Sequence, residues 1–137
     1  MTLLRSALLS LLVLLILPAN AELAPKTYLS LQKAAPEVLQ IQIATRKSSR
    51  LGFLNFTSDR KERLEATVLA VTRSKSGLKK GDKIVIIYEH KKLRGAAGPS
   101  PIPKLTKGQK YPAWLKKDAK GHYSPAARGY SFHEVKK

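Results

Sequence analysis

Residues 64–88 read LEATVLAVTRSKSGLKKGDKIVIIY and determine the class of fold that the chain can adopt. Two runs rich in β-branched residues, 64–72 and 83–88, flank a basic connection that contains Gly77, Gly81 and Asp82. Glycine allows the positive φ angles that a chain reversal requires, so the two runs predict a hairpin. Both faces of these strands are apolar, which indicates a central position in a closed barrel or a sandwich.

Other segments add strands to this hairpin. Residues 38–44 (VLQIQIA) alternate strictly between apolar and polar, as a half-buried strand does, and 28–32 (YLSLQ) begin a similar alternation. Strand signals return at 109–115 (QKYPAWL), where Pro112 indicates an edge position, and at 121–124 (GHYS). The tail at 125–132 is expected to close one end of the barrel. The pattern predicts a mainly β fold, a small OB-like antiparallel barrel or sandwich.

Two segments are expected to connect the strands. Residues 46–63 mix basic and polar residues with scattered apolar ones, which predicts a long loop with a short helical turn near 58–63. Residues 93–103 contain three prolines and two glycines, which favour an extended connection.

The N-terminal segment has the pattern of an export signal. Arg5 precedes an apolar core at 7–17, Pro18 ends it, and the small residues that follow predict cleavage between Ala21 and Glu22. The core has about half of the roughly 20 residues that a bilayer span needs. We therefore expect a signal peptide at 1–21 and one exported domain at 22–137, periplasmic or extracellular, with no transmembrane segment in the mature chain.

The charge of the chain is its most unusual property. It has 26 Lys and Arg against 9 Asp and Glu, a formal net charge of +17, and loss of 1–21 would remove only Arg5. Such a surface attracts an acidic protein, an anionic envelope polymer or nucleic acid, or else serves only to keep the protein in solution. The chain contains no cysteine, which excludes disulfides, thiol catalysis and cysteine-ligated zinc.

The stretch at 66–88, followed by GQKYPAWL at 108–115, resembles the strand–loop–strand centre of netrin-like modules. These are the OB-type barrels of tissue inhibitors of metalloproteinases and of complement C-terminal domains. The resemblance implies a barrel fold. It transfers no inhibitory residues, because those inhibitors depend on an N-terminal cysteine and disulfides that this chain lacks. Through GPSPIP at 98–103 and YSPAARGYSF at 123–132, the chain also resembles small exported bacterial proteins.

Catalytic patterns are missing from the sequence. His90, His122 and His133 are the only histidines, and their spacing matches no known metal-binding pattern. The chain has no nucleophile elbow and no phosphate-binding loop, and its carboxylates are scattered among lysines. We therefore expect no enzymatic activity, no metal and no cofactor.

The first functional hypothesis is an exported interaction module whose basic surface binds an acidic protein or an envelope polymer. Its candidate binding residues lie around the second strand of the predicted hairpin and in the tail: Lys79, Lys80, Lys91, Lys92, Arg94 and Arg128. Lys79 and Lys80 belong to the turn, whereas 91–94 follow the second strand, so the two clusters are expected at opposite ends of that strand. Ordinary solvated loops are the alternative for each cluster.

The second hypothesis is binding of single-stranded nucleic acid, in which an OB-type barrel tracks phosphates with a basic groove and stacks bases on aromatic rings. Five aromatic residues are available for stacking, Tyr88, Tyr111, Trp114, Tyr123 and Tyr130, and Tyr111 and Trp114 are the candidates among them. The alternative is that such rings fill the core of the barrel, and Trp114, between Ala113 and Leu115, is expected to anchor it. An exposed row of Tyr and Trp on a positive face would favour this hypothesis, and buried rings would favour the first. A protease-inhibitor-like module is a third alternative.

Overall fold

The computed structural model describes residues 23–51, 59–90 and 100–136. In chain order these form a helix, α1 (Pro25–Ala34), five strands, β1 (Glu37–Arg50), β2 (Arg60–Ser74), β3 (Lys83–His90), β4 (Lys110–Lys117) and β5 (Tyr123–Pro125), and a 3-10 helix (Arg128–Tyr130). The predicted signal segment with its cleavage site, and also Lys91, Lys92 and Arg94, lie outside the described residues. No helix within the three ranges is long and apolar enough to cross a membrane.

The five strands close into a barrel in the order β1-β2-β3-β5-β4, with β4 returning to β1. Neighbouring strands are antiparallel except for β3 and β5, which pair in parallel at Ile86 and Tyr123. The prediction of a mainly β, OB-like barrel is thereby confirmed.

The predicted central hairpin is formed by β2 and β3. Lys83 pairs with Thr67 at one end and His90 with Arg60 at the other, and the turn residues Gly77 and Gly81 have φ angles of 79° and 95°. Beyond Thr67, β2 continues to Ser74 in pairing with β1, which shifts register three times. Such bulges bend long strands, and this bending allows two of them to wrap around the core.

The core lies inside the barrel and is built from the inward-facing side chains of alternate strand positions. These are mainly aliphatic: Leu39, Ile41, Ile43, Leu64, Ala66, Val68, Ile84, Ile86, Ala113 and Leu115. Phe132 of the tail joins them, with its ring centroid 6.3 Å from that of Tyr88. The tail therefore packs into the barrel, as predicted.

The prediction of a strand that begins at 28–32 is wrong, because these residues lie in α1. The buried residues of α1 are Tyr28 and Gln32, which lie four residues apart on one face of the helix. An alternation of only five residues is compatible with the period of a helix as well as with that of a strand. Pro25 stands at the start of α1, where its missing N–H costs no hydrogen bond. At the other end, the Arg73 guanidinium donates to three main-chain carbonyls at 2.6–3.3 Å.

The long loop and helical turn predicted within 46–63 are also wrong for the described residues. β1 continues to Arg50 and β2 begins at Arg60, and these two residues pair at the end of an arm formed by β1, β2 and β3. β3 runs alongside, since His90 pairs with Arg60. The sequence misleads here because polar residues occupy both faces of the arm, and the apolar alternation that reveals a strand is absent.

Strand β4 confirms the strand expected at 109–115 and the edge position of Pro112. Pro112 pairs with Gln40 of β1, whereas β5 pairs with β4 only from Leu115 onwards. The prediction that Trp114 anchors the core is wrong. Ala113 and Leu115 are fully buried inside the barrel, and because successive side chains of a strand point to opposite faces, Trp114 points outwards and is half-buried.

Candidate functional site

A cleft of about 350 Å³ opens in the barrel wall between the start of β3 and the turn that joins β4 to β5. β3 and β5 pair only at Ile86 and Tyr123, and before that pair the β4–β5 turn and β3 line opposite sides of the opening. Three strand ends therefore meet at the cleft, which is open to solvent.

The walls of the cleft are cationic. Lys83 is the first residue of β3, Lys117 the last of β4, and His122 precedes β5. The Lys117 ammonium lies 5.9 Å from the centroid of the Tyr123 ring. His122 Nδ1 lies 3.8 Å from the Asp118 carboxylate, which also accepts the main-chain N–H of His122 at 2.9 Å and so stabilises the turn. Two lysines and a histidine therefore line the cleft, and the Asp118 hydrogen bond holds the turn that carries the histidine.

The turn between β2 and β3 forms one rim of the cleft through Leu78 and Asp82. The Asp82 carboxylate accepts the main-chain N–H of Lys79 at 2.8 Å, and the N–H of Leu78 donates to Ser74 Oγ at 2.8 Å. Lys79 and Lys80 are exposed on this turn. The structure therefore brings these two predicted binding residues beside the cleft, although neither lines it.

The barrel buries the carboxylate groups of two acidic residues. Glu37 and Glu62 are 1% and 2% exposed, although the sequence has only 9 acidic residues. Glu37 accepts the N–H of Ser76 at 2.9 Å and the hydroxyl of Ser74, so its charge organises the β2–β3 turn from inside. Two of the 9 acidic side chains are therefore absent from the surface.

Among the described basic side chains, Arg46 is the one Lys or Arg that has a carboxylate within 4.0 Å. Its guanidinium donates to Glu62 through Nε at 2.9 Å and Nη2 at 3.0 Å. Lys83 and Lys117 have no such partner, although Asp82 lines the same cleft. The ammonium groups of the cleft therefore remain available to an external anion.

The Arg46–Glu62 pair lies far from the cleft, where the arm joins the barrel. Burial raises the pKa of Glu62, but hydrogen bonds from Arg46 and Ser48 and the charge of Arg46 outweigh it and hold that pKa below its usual range. Burial raises the pKa of Tyr88 to about 12, and the neighbouring Glu62 carboxylate adds to the effect. Tyr88 is therefore a neutral phenol at physiological pH, and none of Arg46, Glu62 and Tyr88 lines the cleft.

The remaining predicted site residues do not line the cleft. The Tyr111 ring packs against the core, and its hydroxyl accepts the N–H of Thr106 at 3.0 Å. Trp114 lies on the opposite face of β4, so the two rings do not form a row. Arg128 is exposed at the start of the 3-10 helix, with a left-handed φ of 49°.

The sequence did not single out Lys83, Lys117 or His122 as a group. Each is an ordinary residue at a strand end, and only the β3–β5 pairing brings them together. Within the described ranges, no three His, Asp or Glu side chains are arranged to hold a metal ion. Comparison of the chain with protein-family models, with curated proteins and with solved structures gave no match. The geometry and charge of the cleft are therefore the features of the protein that bear on its function.

Proposed function

We propose that this protein is an exported, non-enzymatic binding module whose basic surface, centred on the cleft between β3 and the β4–β5 turn, binds an acidic protein or an anionic envelope polymer. One observation carries the proposal. The barrel buries Glu37 and Glu62, while Lys83 and Lys117 line a solvent-open cleft and neither forms an ion pair with a carboxylate of the described residues.

An anion is expected to bind here because like charges without a counter-charge raise the free energy of the protein. Neighbouring cations repel one another, and an anionic ligand both relieves this repulsion and is attracted over a distance of about 10 Å at 0.1 M ionic strength. Lys79 and Lys80 extend the positive region along the rim. Single-stranded nucleic acid is the less favoured ligand, because Tyr111 and Trp114 point to opposite faces of β4 and offer no continuous stacking surface.

The test compares two variants with the same change in net charge. Lys83→Glu with Lys117→Glu reverses the cleft, and Lys47→Glu with Lys61→Glu reverses two exposed lysines of the arm. Lys83 pairs with Thr67, six residues along β2 from Lys61, which separates the sites by roughly 20 Å. The exported chain and both variants are titrated with polyglutamate, a polyphosphate polymer and single-stranded DNA at two salt concentrations.

We expect polyglutamate to bind more weakly as salt rises. Reversal of the cleft lysines should weaken its binding about ten-fold, which corresponds to about 1.4 kcal/mol, and more than reversal of the arm lysines does. Equal weakening by both variants would mean that the charge acts only diffusely and would overturn the cleft as the site. A binding affinity that changes neither with salt nor with charge reversal would overturn the electrostatic proposal. A higher affinity for single-stranded DNA than for polyglutamate would favour the nucleic-acid alternative.

A further inference from the structure

The cleft exposes the edge of a strand. β3 pairs with β2 along its length, but on its other side its one described strand pair is between Ile86 and Tyr123. Residues 83–85, which precede that pair, line the cleft instead of meeting a neighbouring strand. Because alternate peptide groups of a strand point to opposite sides, part of the N–H and C=O groups of this stretch is directed into the cleft.

An exposed strand edge normally invites pairing with a second copy of the same chain, and lysines at the edge are a common protection against it. Here Lys83 lies on the edge itself and Lys117 lines the same cleft from the end of β4. A second copy of a chain with a formal charge of +17 is repelled. An extended segment that carries carboxylates is attracted by the same two residues, so the charges select the occupant.

We infer that the cleft binds an extended acidic segment of a partner protein, which pairs with residues 83–85 of β3 as an added strand and places its carboxylates near Lys83 and Lys117. The inference rests on the proposed function and specifies its ligand. A peptide supplies main-chain donors and acceptors at the strand repeat of about 3.3 Å, whereas phosphate polymers and nucleic acids lack them. Leu78, which lines the cleft and packs against the core, adds apolar surface for the alternate side chains of the segment.

The inference predicts that main-chain hydrogen bonds contribute to binding, and peptide N-methylation tests this without any change to the protein. The probe is a capped six-residue peptide that alternates Glu and Val. Two modified forms carry N-methyl groups either on the Glu residues or on the Val residues, and they keep the charge and side chains of the parent. An added strand directs only one of these two sets of amides towards β3.

We expect one N-methylated form to lose about ten-fold in affinity, from one or two missing hydrogen bonds, and the other to bind like the parent. In the complex with the parent peptide, amide hydrogen exchange should slow within residues 83–85. If the parent and both modified forms bind equally, or if both modified forms fail, strand addition is overturned.

The failure of this inference is distinguishable from the failure of the proposed function. Salt-dependent binding of polyglutamate that depends on Lys83 and Lys117, together with indifference to N-methylation, would retain the basic binding module and reject strand addition. If none of the peptides and none of the polymers binds, both are rejected.

Discussion

The buried pair of Arg46 and Glu62 makes a quantitative prediction about stability. The Glu62 carboxylate accepts three hydrogen bonds, from Arg46 Nε at 2.9 Å, Arg46 Nη2 at 3.0 Å and Ser48 Oγ at 2.7 Å. The substitution Glu62→Gln keeps the size of the side chain but replaces one acceptor oxygen with an NH₂ group. Since Arg46 presents only donors, the new amide nitrogen opposes one of them and the ion pair is lost.

The expected magnitude follows from the exposure of the two partners. Hydrogen bonds to charged groups contribute about 1.5–3 kcal/mol each, and breaking a buried ion pair costs about 3–5 kcal/mol. The Arg46 side chain is 23% exposed and the Glu62 side chain 3%, so water compensates part of the loss at Arg46. We expect Glu62→Gln to lower the free energy of unfolding by about 2 kcal/mol, or the melting temperature by roughly 6–10 °C.

Two further variants give this measurement its controls. Glu65→Gln, three positions along β2, removes an exposed carboxylate and should change the free energy of unfolding by less than about 0.5 kcal/mol. Replacing both partners, Arg46→Met with Glu62→Leu, should cost less than Glu62→Gln alone, because no unpaired charge remains.

The assay is chemical denaturation of all variants at pH 7, in which unfolding is monitored by far-ultraviolet circular dichroism. A Glu62→Gln variant as stable as the Glu65→Gln control would refute the reasoning that this pair stabilises the junction of arm and barrel. A double variant less stable than Glu62→Gln would contradict the claim that the cost comes from the unpaired charge.

Three other predictions concern pH, packing and the end of α1. Because the pKa of Glu62 in the folded protein is lowered, its contribution is complete above the pKa of the unfolded chain and is lost as pH falls through the folded value. Acid titrations should therefore show a steeper loss of stability for the native protein than for Glu62→Gln. A Cβ at Gly129 would lie 2.1 Å from the carbonyl oxygen of Ser100, so Gly129→Ala should destabilise the barrel by about 1–3 kcal/mol in thermal melting. Arg73→Met removes the hydrogen bonds to the carbonyls of Gln32, Lys33 and Ala35 at the end of α1 and should cost about 1 kcal/mol, with a larger increase of amide exchange in α1 than in the strands; a uniform increase would contradict this role.

The sequence determined the central elements of the fold because their signals are local. The β-branched runs around Gly77 and Gly81 predict the β2–β3 hairpin, and Pro112 predicts the edge of β4, since each depends only on the conformation of a few successive residues. The same local signals failed where they were short or absent. Five alternating residues at 28–32 fit α1 as well as a strand, and the polar arm of β1 and β2 has no apolar alternation.

Only the tertiary structure decided which residues form the cleft and which carboxylates are buried. Lys83, Lys117 and His122 meet because the short strand β5 pairs with both β3 and β4, a long-range contact that no local pattern specifies. Glu62 is buried beside Arg46 and Ser48 of β1, and Trp114 points outwards because Ala113 and Leu115 face the interior of the barrel. The type of each residue and its spacing along the sequence determine what its side chain can do. Its burial, its hydrogen-bond partners and the electrostatic field around it depend on the strands that lie opposite.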